Sequence, residues 1–310
     1  MISPSHTRPF APTPTDAPLR CPQCHAVLPQ PLSDTCANGH VIHRINDIPV
    51  LLRDATGHQA MLANRMDDAG RGEWYSDHQL AQWEGPFRHH LRRRVAYVSS
   101  VLRRYADELG RKPRLLDLGC GDGGNLPWLR DLAGDLYASD YNPVRLSRAA
   151  AQRETLASLF MADATDYPAV DGAFDAIFFN HVLEHIPDDM AALREVRRIV
   201  RPGGLVVLGV PNEGALFARI AYRLQPETRR TTDHIHFYTG DSIAERCRVA
   251  GFHVQEVRYL GYGVPHWSLD ARVRANRFVE ASLETVGKVL FRRQATSLYL
   301  ILRPGNEGKP

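Results

Sequence analysis

Apolar residues recur along this chain in two patterns: short unbroken runs, and longer stretches spaced as on one face of a helix. Runs at 115–118, 135–139, 158–162, 174–179, 205–210, 252–260 and 296–302 read as strands, most of them buried on both faces. Helical spacing fills most of the gaps between them. Strand and helix in alternation predict an α/β fold, a doubly wound and mostly parallel sheet of seven strands over residues 113–305. Asn142-Pro143 supplies an N-cap and first-turn pair for a helix running to about 156. A further helix is predicted over Asp188–Val200, then a turn at Arg201-Pro-Gly-Gly204, and later a helix from Asp241 to Ala250 stopped by Gly251.

Two stretches interrupt this alternation. Residues 211–237 hold one predicted helix, Gly214–Leu224, and the run Asp233-His-Ile-His-Phe-Tyr238. Residues 261–295 carry a helical pattern from about Ser268 to Leu290 and are too long for a hairpin. They would form a substrate cover or the face of a homodimer. Before the sheet, residues 1–19 are proline-rich and aperiodic, as in a disordered tail. Residues 54–112 are polar and helical in pattern, with one long amphipathic helix over Leu91–Leu109. Trp74, Tyr75, Trp83 and Phe87 make this segment either a connector or a lid carrying aromatics over a site.

The chemistry centres on Leu115-Leu-Asp-Leu-Gly-Cys-Gly-Asp-Gly-Gly-Asn125. A buried strand breaks there into glycines that can approach a ligand closely, beside the amide-rich start of a helix. Gly119-x-Gly121-x-x-Gly124 fits the dinucleotide fingerprint, a weak signal alone. Asp117 discriminates: a carboxylate two residues before the first glycine would repel a pyrophosphate and attract an ammonium group. A ligand that is part amino acid and part nucleoside fits both features, and S-adenosylmethionine is one. Asp140 follows the second strand about twenty residues on, where an acid accepts hydrogen bonds from ribose hydroxyls. Asp163-Ala164 and Asn180-His181 end the next two strands, so polar residues mark the carboxyl rim of the sheet, the usual ligand crevice.

Composition changes the picture little: 44% of residues are hydrophobic and 24% charged, as in an ordinary globular protein. No apolar run reaches the ~20 residues of a membrane span and no signal peptide is evident, which predicts a cytoplasmic protein. A net charge of +3 is too mild to argue for nucleic acid, although arginines cluster over 88–94. The cysteines add more. Cys21-Pro-Gln-Cys24, Cys36 and His40 have the ligand types and spacing of a closed Cys3His zinc site, with His25 and His43 as spare ligands. All four positions would be filled by protein, so the Zn2+ would be structural, and residues 20–53 are too few to fold without it.

Val41 to Leu52, with its Ile-Pro-Val-Leu-Leu ending, resembles the small zinc-ribbon domains found alone or ahead of methyltransferases. The body resembles the class I S-adenosylmethionine-dependent methyltransferases, with their Rossmann-like fold. The matching stretches are Leu115–Gly123, Ser139-Asp140, Asp163-Ala164, Phe174–Asp188 and Leu193–Gly204. The resemblance implies that Asp117, Gly119 and Gly121 hold the methionine end of the cofactor, Asp140 the ribose, and Asp163 with Ala164 the adenine. Asn180 and His181 would border the methyl group. The body is most similar to the ubiquinone-biosynthesis branch, which implies a small-molecule acceptor methylated on oxygen or nitrogen. The zinc-first order is also similar to a family of ribosomal-RNA guanine methyltransferases, which keeps an RNA or protein acceptor as the alternative; Asn180–His185 departs from that family.

Methyl transfer gains most from holding a nucleophile in line, and a general base helps where the nucleophile carries a proton. His181 is the first candidate base and His236 the second. His181, Glu184 and His185, one turn apart on a helix, could instead hold a divalent ion with His236.

Overall fold

The computed structural model describes residues 17–54 and 83–305. The apolar run after Arg114 forms β3 (Arg114–Leu118), the middle of a seven-stranded sheet. To one side lie β4 (Asp135–Asp140) and β5 (Ser158–Met161), to the other β6 (Phe174–Asn180), β7 (Val200–Pro211), β9 (Ser297–Pro304) and β8 (Phe252–Leu260). The order β5-β4-β3-β6-β7-β9-β8 is parallel except for β9, which runs against both of its neighbours. Chain order reverses between β3 and β6, so the loops leaving these strands part and open a crevice. Leu118 is level with Ser139 on one side and with Phe179 on the other. That register brings the predicted polar ends to one rim.

The covering helices are α1 (Arg88–Leu109), α2 (Leu126–Arg130), α3 (Pro143–Ala149), α4 (Asp189–Ile199) and α7 (Gly240–Val249). The Asn142 side chain accepts from the amides of Val144 and Arg145, as an N-cap should, but α3 tightens into a 3-10 helix over Ala150–Thr155. Leu91, Val98, Leu102 and Tyr105 form the buried stripe of α1, which Gly110 ends in a left-handed conformation.

The predicted turn at Arg201–Gly204 is an unpaired excursion near the start of β7: Phe174 pairs with Val200 and Ala176 with Leu205, and Gly203 between them has φ +74°. An ion pair explains this. Asp175, wholly buried, receives both terminal nitrogens of Arg111 at 2.7 and 2.9 Å, Arg201 Nε at 3.0 Å and the Arg114 amide at 2.7 Å. Two guanidinium groups and an amide around one buried carboxylate clamp the rim opposite the crevice. Asp175→Ala strands both cations, and urea denaturation should show a loss of about 3–5 kcal/mol; a loss under about 1 kcal/mol would mean that the cluster is solvated and structurally idle.

The interruptions hold more helix than predicted. Residues 211–237 carry α5 (Leu216–Leu224) and α6 (Pro226–Thr231), divided by the Gln225-Pro226 junction. Residues 261–295 carry α8 (Trp267–Arg274) and α9 (Arg277–Leu290), with Asn276 capping the second. α9 turns Glu280 and Glu284 inward and leaves Phe278, Val289 and Leu290 exposed.

Residues 20–53 form a small lobe around β1 (Arg44–Ile45) and β2 (Ile48–Pro49). It is not a separate bead. Val50 lies parallel to Met161, and the Leu51 amide donates to the Met161 carbonyl at 2.9 Å, so the lobe covers the open edge at β5. Leu19, Leu28, Ile42 and Leu51 share one buried cluster with Phe160, Tyr167 and Phe174. Leu19, placed in the tail by its sequence, is buried and bridged to Ala169; the rest of that tail up to residue 16 lies outside the described residues, as do Trp74 and Tyr75.

Candidate functional site

A cavity of about 780 Å³ opens where the sheet order reverses. Its floor is the loop after β3. Gly119, Gly121 and Gly123 all have positive φ, at +79°, +55° and +82°; the third is Gly123, one residue before the Gly124 of the fingerprint. Gly119 also faces a close approach: a Cβ there would come within 2.2 Å of Val182 Cγ2, in the loop after β6. Only glycine lets these two loops close over each other.

Asp140 ties the floor to the next strand, accepting from the Gly121 amide and the Asn142 amide, each at 2.8 Å. Asp163 accepts from the Thr165 amide and hydroxyl, shaping the loop after β5. Gly119, Gly121, Asp140, Asp163, Ala164, Asn180 and His181 all line the cavity. Asn180 is held by the Tyr299 hydroxyl at 2.7 Å, in space that Gly209 leaves by lacking a Cβ. Asp117 differs. It is 1% exposed, stands behind the lining, and its Oδ2 has no hydrogen-bond partner among the described residues. Burial, aided by the charge of Asp140, pushes its carboxyl up to about 8, against the pull of Arg94.

Beyond Asn180 the chain turns sharply. His181 has φ +54°, unusual for a residue with a side chain, and its amide is held by the Gly209 carbonyl at 2.8 Å. Residues 183–185 form a single 3-10 turn, not the helical turn predicted. That turn buries Glu184 completely, and neither carboxylate oxygen has a hydrogen-bond partner among the described residues. Three imidazoles surround Glu184 Oε1: His181 Nδ1 at 3.5 Å, His185 Nε2 at 3.8 Å and His234 Nε2 at 4.0 Å. Burial alone would raise the Glu184 carboxyl, but these histidines hold it below the ordinary carboxylate range. The far nitrogens of two of them meet other acids, His185 Nδ1 with Asp233 at 3.0 Å and His234 Nδ1 with Glu213 at 2.7 Å. Burial would lower His234, yet Glu213 raises it. Glu184, His185 and His234 offer ligand atoms within 4.8 Å of one another, a set able to hold a divalent ion, with carboxylates behind two of the imidazoles.

The partner from the insertion is therefore His234. His236 gives its Nε2 to contact with the Ile186 carbonyl at 2.9 Å, stacks on Tyr238 and does not line the cavity. Register decides which histidine enters. The amides of Ile235 and His236 donate to the Glu184 carbonyl, so the residue before them faces the turn.

The wall opposite the floor joins Trp83 and Phe87, two of the aromatics that the sequence offered for a lid, to residues given no site role there. Trp83, Phe87, His90 and Arg94 project from α1 and its approach, Trp267, Asp270 and Arg274 from α8. Of the two alternatives for 261–295, α8 does cover the cavity. Of the arginines clustered over 88–94, Arg88 donates to the Ala275 carbonyl, Arg93 pairs with Glu280, and Arg94 reaches Asn125 beside the glycine loop.

Residues 87–257 match a family described as a methyltransferase domain. The chain belongs to this family. Over 187 residues the methyltransferase chain is 29% identical to a ubiquinone biosynthesis O-methyltransferase of Pseudomonas aeruginosa, a match spanning 55% of this chain and 78% of that one. It is 36% identical over 105 residues to a demethylmenaquinone methyltransferase of Beutenbergia cavernae, covering 33% of this chain and 43% of that one. The chain spans 38% to 63% of the length of the first curated relatives it matches. A chain from the complex between the Haloferax volcanii Trm112 methyltransferase activator and a methyltransferase superposes with a TM-score of 0.54 at 19% identity, over 78% of this chain and 98% of that one, which establishes the shared fold.

The N-terminal lobe precedes the matched methyltransferase domain. There Cys21, Cys24, Cys36 and His40 converge, with ligand atoms within 4.8 Å of one another. Cys24 Sγ lies 3.7 Å from Cys36 Sγ, and Cys36 Sγ lies 3.4 Å from His40 Nδ1. Tetrahedral zinc with ordinary bond lengths would place such pairs at about 3.8 and 3.6 Å, so the four residues fit the ion. Among the described residues no helix is long and apolar enough to cross a membrane.

Proposed function

We propose that this chain transfers a methyl group from S-adenosylmethionine to an oxygen or nitrogen of a small acceptor, and that the Cys3His cluster holds a structural Zn2+. The observation that carries the reading is the cavity itself: about 780 Å³, floored by a glycine loop and a carboxylate rim, and walled by aromatics from the approach to α1 and from α8. That volume suits a cofactor and a small molecule side by side. An RNA or protein acceptor is the weaker reading, because Arg88 and Arg93 are spent on packing against α8 and α9, and the zinc lobe is docked on the sheet edge.

The bound cofactor supplies an electrophilic sulfonium methyl group. Asp117, behind the glycine loop, draws its ammonium by charge from across that loop; Arg94 offers the counter-charge for its carboxylate. Asp140 receives the ribose hydroxyls, and Asp163 with Ala164 borders the adenine. Asn180, fixed by Tyr299, and His181 flank the reacting end. His181 takes the proton of the acceptor, with Glu184 behind its Nδ1 to steady the imidazolium as it forms.

Binding of S-adenosylhomocysteine tests this with a signed pH dependence. Below about 8 the Asp117 carboxyl keeps its proton, and an arriving ammonium expels it. Affinity therefore rises with pH, by up to about tenfold per unit, and levels off above that value. Calorimetry at pH 7 in buffers of different ionisation heat should show close to one proton released per ligand. No binding, or binding of a nicotinamide dinucleotide instead, would end the reading; binding without proton release would remove Asp117 from it.

A further inference from the structure

The acceptor wall has an excess of buried donors. Arg274 is 2% exposed, and among the described residues only its Nη1 is hydrogen-bonded, to Asp270 Oδ2 at 3.2 Å. Its Nε and Nη2 form the side-on edge of the guanidinium, two parallel N–H groups, and both are buried without an acceptor among the described residues. The indole Nε1 of Trp267, two turns earlier on α8, is likewise buried without a partner among the described residues, and so is Nδ1 of His90 across the wall, a donor in the tautomer whose Nε2 accepts from the Ser297 hydroxyl. His90 is held neutral by burial and by the charges of Arg274 and Arg94. All three side chains line the same cavity. Asp270 does not answer the surplus, since its other oxygen accepts from the Val264 amide at 3.0 Å.

Buried donors without acceptors are costly, and a charged fork more so than a neutral group. Protein interiors tolerate them where a ligand completes the bonds. A side-on guanidinium edge matches two oxygens of one oxyanion, in the plane that a carboxylate or phosphate presents. Phe87 lies under the guanidinium, 5.1 Å from its carbon, and fixes that plane.

We propose that Arg274, flanked by Trp267 and His90, is an oxyanion subsite of the acceptor pocket, so that the acceptor carries a carboxylate or phosphate joined to a planar apolar body. This rests on the methyl-transfer reading for the identity of the pocket, not for the existence of the subsite. The acceptor then lies with its anion against α8 and its nucleophile toward His181, and the opposite charge of the Glu184 cluster keeps it from binding reversed.

The test is calorimetric titration of the full chain, with and without saturating S-adenosylhomocysteine, using benzoate, phenyl phosphate and benzamide as probes. At least one anion should bind about tenfold or more tighter than benzamide, and the stronger of the two identifies the oxyanion. Arg274→Lys keeps the charge and the pairing with Asp270 but removes the fork. It should lower anion affinity by about tenfold, while benzamide and S-adenosylhomocysteine bind as before. Arg274→Gln, checked for folding by unchanged S-adenosylhomocysteine binding, should lose the preference for anions altogether. Equal binding of benzamide and the anions, no binding of either anion, or an Arg274→Lys protein that binds them like the wild type overturns the subsite. Failure of S-adenosylhomocysteine to bind overturns the cofactor reading alone, because the anion arm without it still decides on Arg274.

Discussion

Cys36→Ser is expected to release zinc, unfold residues 17–53 together and lower the melting temperature of the whole chain by more than about 10 °C. The size of the effect follows from where the lobe sits. β1 and β2 are two residues each, too short to persist on their own. A structural zinc site contributes on the order of 10 kcal/mol to the fold that carries it, comparable to the stability of an entire domain. Leu19, Leu28, Ile42 and Leu51 share a core with Phe160 and Phe174, so unfolding the lobe also strips one face of the sheet. It frees the edge of β5 at Met161 as well, where an unpaired strand invites association. Metal analysis of the wild type should find one zinc per chain, and amide exchange in the variant should accelerate over 17–53 before the sheet opens. A wild type purified without zinc, or a serine variant that melts at the original temperature, would show that the cluster is an incidental group of thiols.

Replacing Glu184 by glutamine should reduce the rate of methyl transfer by about 10²- to 10⁴-fold while leaving affinity for S-adenosylhomocysteine within about twofold. The substitution preserves shape and removes one charge. That charge sits within 4.0 Å of three imidazoles, and the turn carrying it also anchors the insertion through its carbonyl. Without it His181 loses the group that stabilises its protonated form, and His185 with His234 lose the anion they face. Chelation separates the two ways in which the cluster can act. If His181 works as a base alone, wild-type activity survives removal of exchangeable divalent ions with the zinc lobe still folded. If Glu184, His185 and His234 hold a cation, activity collapses and returns with added metal, and His234→Ala behaves like Glu184→Gln. A Glu184→Gln enzyme of undiminished kcat would take the cluster out of the chemistry.

Much of the fold and of the strand-end rim of the cavity was legible in the sequence because it depends on short-range chemistry. Apolar runs of strand length, Asn142-Pro143 at a helix start and glycines after Leu118 act within a few residues of themselves. The strand-end positions of Asp140, Asp163 and Asn180 follow from the same runs. The turn at Arg201–Gly204 was legible from its proline and glycines, but what anchors it was not, for the opposite reason. Its conformation is set by Asp175, which lies 26 residues earlier in the chain and across a strand pair. Nothing local in Asp233-His-Ile-His-Phe-Tyr238 separates His236 from His234, whereas the amides docking on the Glu184 carbonyl decide which of the two turns inward. Arg274 carried no local signal at all.

By itself, the sequence determined the α/β alternation, the glycine loop, the carboxylate rim and the grouping of three cysteines with His40, because each is a matter of residue type at fixed spacing. Only the tertiary structure decided that Asp117 stands behind the cavity wall, that α1 and α8 bring Arg94 and Arg274 to face the glycines, and that three histidines meet one buried carboxylate. The physical reason is reach: side-chain pattern specifies a strand or a cap locally, while burial and charge at a site are summed over elements that the chain brings together only when it packs.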